Sequence, residues 1–159
     1  MVKYTLIHRL SVLFMAGATL VATIILPVIS YGMGTFVYNP KSLQWKAINS
    51  NGQVVRTGRG SGGQSYCPDI HRSCRTPTGT YHVISKGGAG CRSSRYPVGK
   101  GGAPMPYCMY FNKNYAVHGS YEVPHRNASH GCIRVLPHDA HWLSEHFMQV
   151  GTKVVVKPY

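Results

Sequence analysis

The chain has 159 residues, with 17 Lys and Arg against four Asp and Glu and a formal net charge of +13, a size that suits one domain with its own core. Its acids are Asp69, Glu122, Asp139 and Glu145, which argues against a glycosidase, since that chemistry needs two carboxylates flanking the scissile bond. The excess of cations favours polyanions such as nucleic acid, anionic lipid or acidic wall polymers, and a generally basic surface without a dedicated ligand accounts for it equally well.

Lys3, His8 and Arg9 form a basic start, and the apolar run "LSVLFMAGATLVATIILPVIS" follows from Leu10 to Ser30. Basic, then apolar, then the small residues near Ser30 and Gly32 is the order of a secretory signal, here residues 1–32. About 20 apolar residues also suffice for an uncleaved anchor, but Pro27 and the polar "SYGMG" favour cleavage. Either way the rest of the chain is exported. Export removes nucleic acid as a working partner and leaves membrane contact to the N-terminal segment alone. Outside the cytosol thiols pair, so Cys67, Cys74, Cys91, Cys108 and Cys132 allow two disulfides and one spare thiol. No CxxC spacing supports a zinc site. With Cys132 as the spare, three connectivities remain for the others. The expected one pairs Cys67 with Cys74, closing "CPDIHRSC", and Cys91 with Cys108.

From Gly34 the chain reads as short strands separated by turns. "TFVYN" and "LQWKAIN" are strands, Ser50-Asn51-Gly52 is a hairpin turn, and "QVVRT" is the returning partner. "GRGSGG", Gly58 to Gly63, reads as a flexible loop; no helix-forming run follows, so it is not a phosphate cradle. "TPTGTYHVI" is a turn feeding a strand. Gly87 to Pro106 is a long loop clamped by Cys91 and Cys108. "YCMYF" and "NYAVHG" are strands around Asn112-Lys113-Asn114. One helix starts near Pro137, with Ala140, Leu143 and Phe147 on one face and Gly151 as its stop. "TKVVVK" is the last strand. Residues 35–159 thus form one mostly β domain with a late helix.

The spare thiol stands in "NASHGCIRV", Asn127 to Val135. A cysteine nucleophile reacts as thiolate and needs a nearby base. His130 lies two residues before Cys132, and His118 ends the strand "YAVHG", where it can face Cys132 while "SYEVPHRNA" bulges outward. Gly131 permits a sharp turn that aims main-chain N–H groups at a developing oxyanion. This suits acyl transfer through a thioester. A surplus cysteine beside ordinary histidines is the competing reading.

"HGS" at His118 to Ser120 followed by "SHGCIRV" at Ser129 to Val135 resembles the signature of the L,D-transpeptidases, the YkuD-type catalytic domain. "TPTGTYHV" upstream and "HDAHWL…GTKVVV" downstream extend the resemblance over most of the chain after Thr35. The short secreted form, with "PYCMYF" before the motif, resembles the "enhanced entry" subgroup of intracellular bacterial pathogens. The family likeness implies a β-sandwich whose helix lies near the active-site loop. It makes Cys132 the nucleophile and His118 the general base, oriented by a carbonyl of Gly119 or Ser120. His130 assists by polarising the site or placing substrate, and the Gly131 and Cys132 N–H groups form the oxyanion hole. Ser129 supports the turn, and Arg134 either binds a substrate carboxylate or fixes the turn, the latter favoured. The implied partners are peptidoglycan tetrapeptide stems and, as acceptor, a second stem, an envelope protein or water, with the enzyme in the periplasm or cell wall. No cofactor or metal is implied. Ten residues separate His118 from Ser129, fewer than in much of the family; the difference falls on the lid and acceptor groove.

His138, His141 and His146 on the helix read as solvent-exposed rather than metal-binding, and "NAS" at Asn127 carries no weight as a glycosylation sequon. The alternative to an enzyme is a non-catalytic, disulfide-stapled wall-binding or host-interaction module. A papain-like peptidase fits worse, because the order of its cysteine and histidine is reversed.

Overall fold

A computed structural model describes residues 33–159, so the expected signal segment and its anchor alternative lie outside the described residues. Alternation of apolar residues builds the first strands, as the two-residue period of extended chain requires. Phe36 and Tyr38 are fully buried in β1, Thr35–Asn39, and Trp45 and Ala47 in β2, Gln44–Ile48. The strands pair antiparallel with Tyr38 opposite Trp45. The Asn-Gly turn forms where expected, and Asn49 organises it: its Oδ1 accepts from the N–H groups of Asn51 and Gln53.

β3 runs over Val54–Ser61 and corrects the reading of "GRGSGG" as a flexible loop. The rings of Trp45 and Tyr38 lie across Gly58 and Gly60, where a Cβ would come within 2.7 and 2.9 Å of them. Glycine is there to let the rings close on the strand. β3 pairs with β2 as far as Arg59 and with β8, Ile133–Val135, from Gly60 onward. It therefore carries the chain from one half of the sheet to the other.

The remaining strands are β4 (Gly79–His82), β5 (Ser85–Lys86), β6 (Met109–Asn112), β7 (Tyr115–Gly119) and β9 (Lys153–Val156). They join one sheet in the order β4-β9-β1-β2-β3-β8-β7-β6-β5. Its two edge strands are consecutive in sequence, separated only by Val83 and Ile84. The Val83 N–H donates to Thr152 and the Ile84 N–H to Tyr110, so one stretch closes both edges and the sheet curls on itself. Phe36, Trp45 and Val154 from one half meet Met109, Phe111 and Ile133 from the other in a single core. Each such apolar side chain contributes about 1.5–3 kcal/mol on burial. This is the mostly β, sandwich-like architecture expected.

α1, Pro137–Trp142, begins with Pro137 in its first turn and packs over β7, where a Cβ on Gly119 would meet Ala140 at 3.2 Å. Ala140 and Leu143 are buried and Phe147 is half-buried, as the spacing predicts. The helix stops short of Gly151. From Leu143 it widens to a π turn, with the Met148 N–H bonded to the carbonyl of Leu143 five residues back. Met148 then leaves in extended conformation with its side chain fully buried, so core packing, not glycine, sets the stop. Cys67 pairs with Cys74 and Cys91 with Cys108, as expected, and Cys132 is free.

Candidate active site

β7 and β8 run parallel, with Val117 beside Ile133 and His118 beside Arg134. One step back, this register sets Cys132 beside Ala116. Alternation along each strand then puts Ala116 and His118 of β7 on the same face as Cys132 and Arg134. His118, Cys132 and Arg134 accordingly line one cleft of about 630 Å³, together with His130, Gly119, Ser120 and Ser129. Every residue expected at the site except Gly131 lines this cleft, and Gly131 lies within the turn beneath it.

His118 is buried, and its Nδ1 bonds the carbonyl of Gly119 at 2.9 Å. A carbonyl only accepts, so Nδ1 carries the proton and Nε2 keeps its lone pair. Burial lowers the His118 pKa from 6.5 to about 4; the bond to Gly119 opposes this, and the Arg134 charge adds to it. Burial likewise raises the Cys132 thiol, opposed by an N–H bond from Ala116 and by Arg134. Thiol and imidazole are therefore both neutral near pH 7, with the thiol 3.7 Å from the carbonyl of Asn114. Such a pair suits a proton transfer that accompanies attack, in contrast to a preformed thiolate–imidazolium pair.

The turn that presents Cys132 is built on Ser129. Its Oγ accepts from the Gly131 N–H at 3.0 Å and donates to the Cys132 carbonyl at 2.5 Å. Gly131 has φ 124°, and a Cβ there would lie 2.4 Å from the Tyr115 ring. The Gly131 N–H, expected to face an oxyanion, is thus engaged by Ser129. The Ser129 main chain is fixed in turn by bonds from its N–H to Gly62 and from the Gln64 N–H to its carbonyl. The end of "GRGSGG" is the bed of this turn, and Gly63 lies so close to Cys74 that a Cβ would collide with its carbonyl. Asn127, set aside as a sequon, accepts from the Tyr38 hydroxyl at 2.6 Å and donates to Pro40 at 3.0 Å. It pins the approach to the turn to β1.

Arg134 was expected chiefly to fix the turn. Ser129 does that, while the Arg134 guanidinium sits in the cleft, 3.4 Å from the largely exposed Glu122. Of the two candidate carbonyls, that of Gly119 orients His118; Ser120 lines the cleft, and its Oγ accepts from the Glu122 N–H. Arg72, Arg95 and Lys113, none of them singled out by the sequence, also line the cleft. His130 bonds Asp69 and packs in a tilted arrangement against Tyr96, contacts that the residue order does not announce. Cys67, Asp69 and His130 come together in a group of metal-ligand type, but the Cys67 sulfur is bonded to Cys74 and cannot act as a thiolate ligand. His138, His141 and His146 are exposed, as expected.

The YkuD L,D-transpeptidase catalytic-domain model matches residues 34–156. Among solved structures, an L,D-transpeptidase from Xylanimonas cellulosilytica is similar at 28% identity and TM-score 0.66, covering 80% of this chain and 62% of that one. One from Stackebrandtia nassauensis has 22% identity and TM-score 0.65 over 80% and 56%. L,D-transpeptidase 3 from Mycobacterium tuberculosis, bearing a faropenem-derived adduct, has 21% identity and TM-score 0.63 over 79% and 60%. The chain thus spans about 60% of the length of these structures, and the two with lower identity speak for the fold alone. No curated protein matches the chain. The likeness reaches the family and not the "enhanced entry" subgroup. With its family model matched from the first strand to the last, the chain belongs to the YkuD family of L,D-transpeptidase catalytic domains.

Proposed function

We propose that this protein is an exported peptidoglycan L,D-transpeptidase with Cys132 as nucleophile and His118 as general base. The observation that carries the reading is the presence in one cleft of the only free thiol among the described residues and a neutral histidine whose Nδ1 is locked on the Gly119 carbonyl. Cys132 Sγ attacks the carbonyl of the L-centre at position three of a tetrapeptide stem as His118 Nε2 takes the thiol proton. The tetrahedral intermediate collapses to a thioester, the C–N bond breaks, and the histidinium returns its proton to the departing D-alanine amine. An acceptor amine then attacks the thioester, the C–S bond breaks, and the acceptor's surplus proton passes through His118 to the thiolate. A second stem as acceptor gives a crosslink, a protein amine anchors an envelope protein, and water gives carboxypeptidase action.

A histidine with pKa about 4 is a strong acid once protonated, which suits expulsion of an amine. The oxyanion falls to the Cys132 N–H, because the Ser129 lock uses that of Gly131. Arg134, Arg72, Arg95 and Lys113 give the cleft a positive lining that favours the carboxylates of stem peptides. Two disulfides support an oxidising compartment. An intact His118–Cys132 pair favours an enzyme over a binding module that merely keeps the fold. Mass spectrometry of purified tetrapeptide stems incubated with the protein, with and without candidate protein acceptors, is expected to show loss of D-alanine and a joined product. Stems returned unchanged under all conditions would overturn the reading.

A further inference from the structure

We propose that Asp69 is the positioning residue for His130, fixing its tautomer and aim at the mouth of the cleft. The site and substrate are those of the transpeptidase reading above. Asp69 lies in the short 3-10 turn Pro68–Ile70, inside the loop closed by Cys67–Cys74. Both carboxylate oxygens reach His130 Nε2, at 2.8 and 3.0 Å. A carboxylate accepts, so Nε2 carries the proton. In the neutral ring Nδ1 is then left as an acceptor, the nitrogen that can meet a peptide N–H of the stem.

Tyr96 also packs against the ring, tilted by 33° with 4.4 Å between centroids. Tyr96 belongs to the loop closed by Cys91–Cys108, so two separate disulfide loops converge on one imidazole. The Asp69 loop is anchored where the nucleophile's turn is anchored. Cys67 and Cys74 are buried, the Cys74 N–H donates to Gln64, and the Gln64 N–H donates to Ser129. Asp69 is thereby delivered at a fixed place relative to Cys132.

Stability is a poor explanation for this pair. The two side chains are 28% and 44% exposed, and ion pairs with such access to solvent add little. In a chain with 17 Lys and Arg, one of few carboxylates is directed at a histidine two residues before the nucleophile. Orientation of that histidine accounts for the arrangement.

Turnover of tetrapeptide stems by Asp69→Ala, His130→Ala and the double variant tests the coupling. Asp69→Ala is expected to raise KM about tenfold, with kcat within about twofold and an unchanged Tm. The double variant should match His130→Ala, because the effect of Asp69 passes through that ring. A wild-type KM in Asp69→Ala, or additive losses in the double variant, would overturn the proposal. Nitrogen-15 NMR of the His130 ring reads the same claim without substrate, so a protein that fails to turn over stems still tests it. The Nε2–H tautomer is expected in the wild type and a loss of that preference in Asp69→Ala. An Nδ1–H tautomer, or one indifferent to Asp69, would sink it.

Discussion

Replacing His118 by glutamine is expected to slow acylation of Cys132 by about 10²–10⁴-fold, the usual contribution of a positioned general base. The side chain is buried against Gly119, and glutamine can still bond that carbonyl, so the fold should persist while the proton acceptor is gone. The wild-type pH profile identifies the group. With its pKa lowered to about 4, His118 stays neutral well below pH 6, and acylation should hold until the acid limb near pH 4. A limb at the ordinary imidazole value of 6.5 would mean that another group controls the rate.

The same shift has a consequence for stability. Between pH 6.5 and about 4 the unfolded chain binds a proton at His118 that the folded chain refuses. The stability tied to this group is complete above 6.5 and is lost as pH falls through 4, by about 3 kcal/mol in total. In His118→Gln that part of the acid dependence of Tm should be missing.

The second large effect is expected from Gly131→Ala. Its φ of 124° disfavours any side chain, and the new Cβ would lie 2.4 Å from the Tyr115 ring. Strain and clash together should cost about 2–4 kcal/mol. The turn must also shift to accommodate the methyl group, which loosens the Ser129 bonds that place Cys132. A displacement near 1 Å at a nucleophile costs on the order of 10² in rate. Gly52 is the control. It too has positive φ, 80°, but open space surrounds it, so alanine there should cost about 1 kcal/mol and leave acylation intact. Equal losses at both glycines, read by Tm and by acylation rate, would remove the special role of the Gly131 turn.

The strands around Phe36, Tyr38 and Trp45 are legible because alternation and an Asn-Gly turn each carry one local meaning. The glycine half of β3, beyond "QVVRT", is not, because glycine ordinarily signals a loop; here two aromatic rings contributed by β1 and β2 exclude side chains from it. The end of the helix is misread for a similar reason, since the burial of Met148 outweighs the glycine at 151. At the site, Cys132 and His118 stand out because an odd thiol and a compact motif mark them. Asp69 and Tyr96 lie in irregular disulfide loops far from His130 in sequence, and no periodicity links them to it. The Gly131 N–H is taken up by the Ser129 hydroxyl, a contact that residue order does not encode.

The most direct test of a transpeptidase centred on Cys132 is mass spectrometry of the intact, unreduced protein after incubation with a carbapenem, followed by peptide mapping. One covalent adduct per chain, on the peptide containing Cys132 and absent from Cys132→Ala, is the result predicted. An adduct that persists in Cys132→Ala, or a wild-type protein that takes up none, would contradict it.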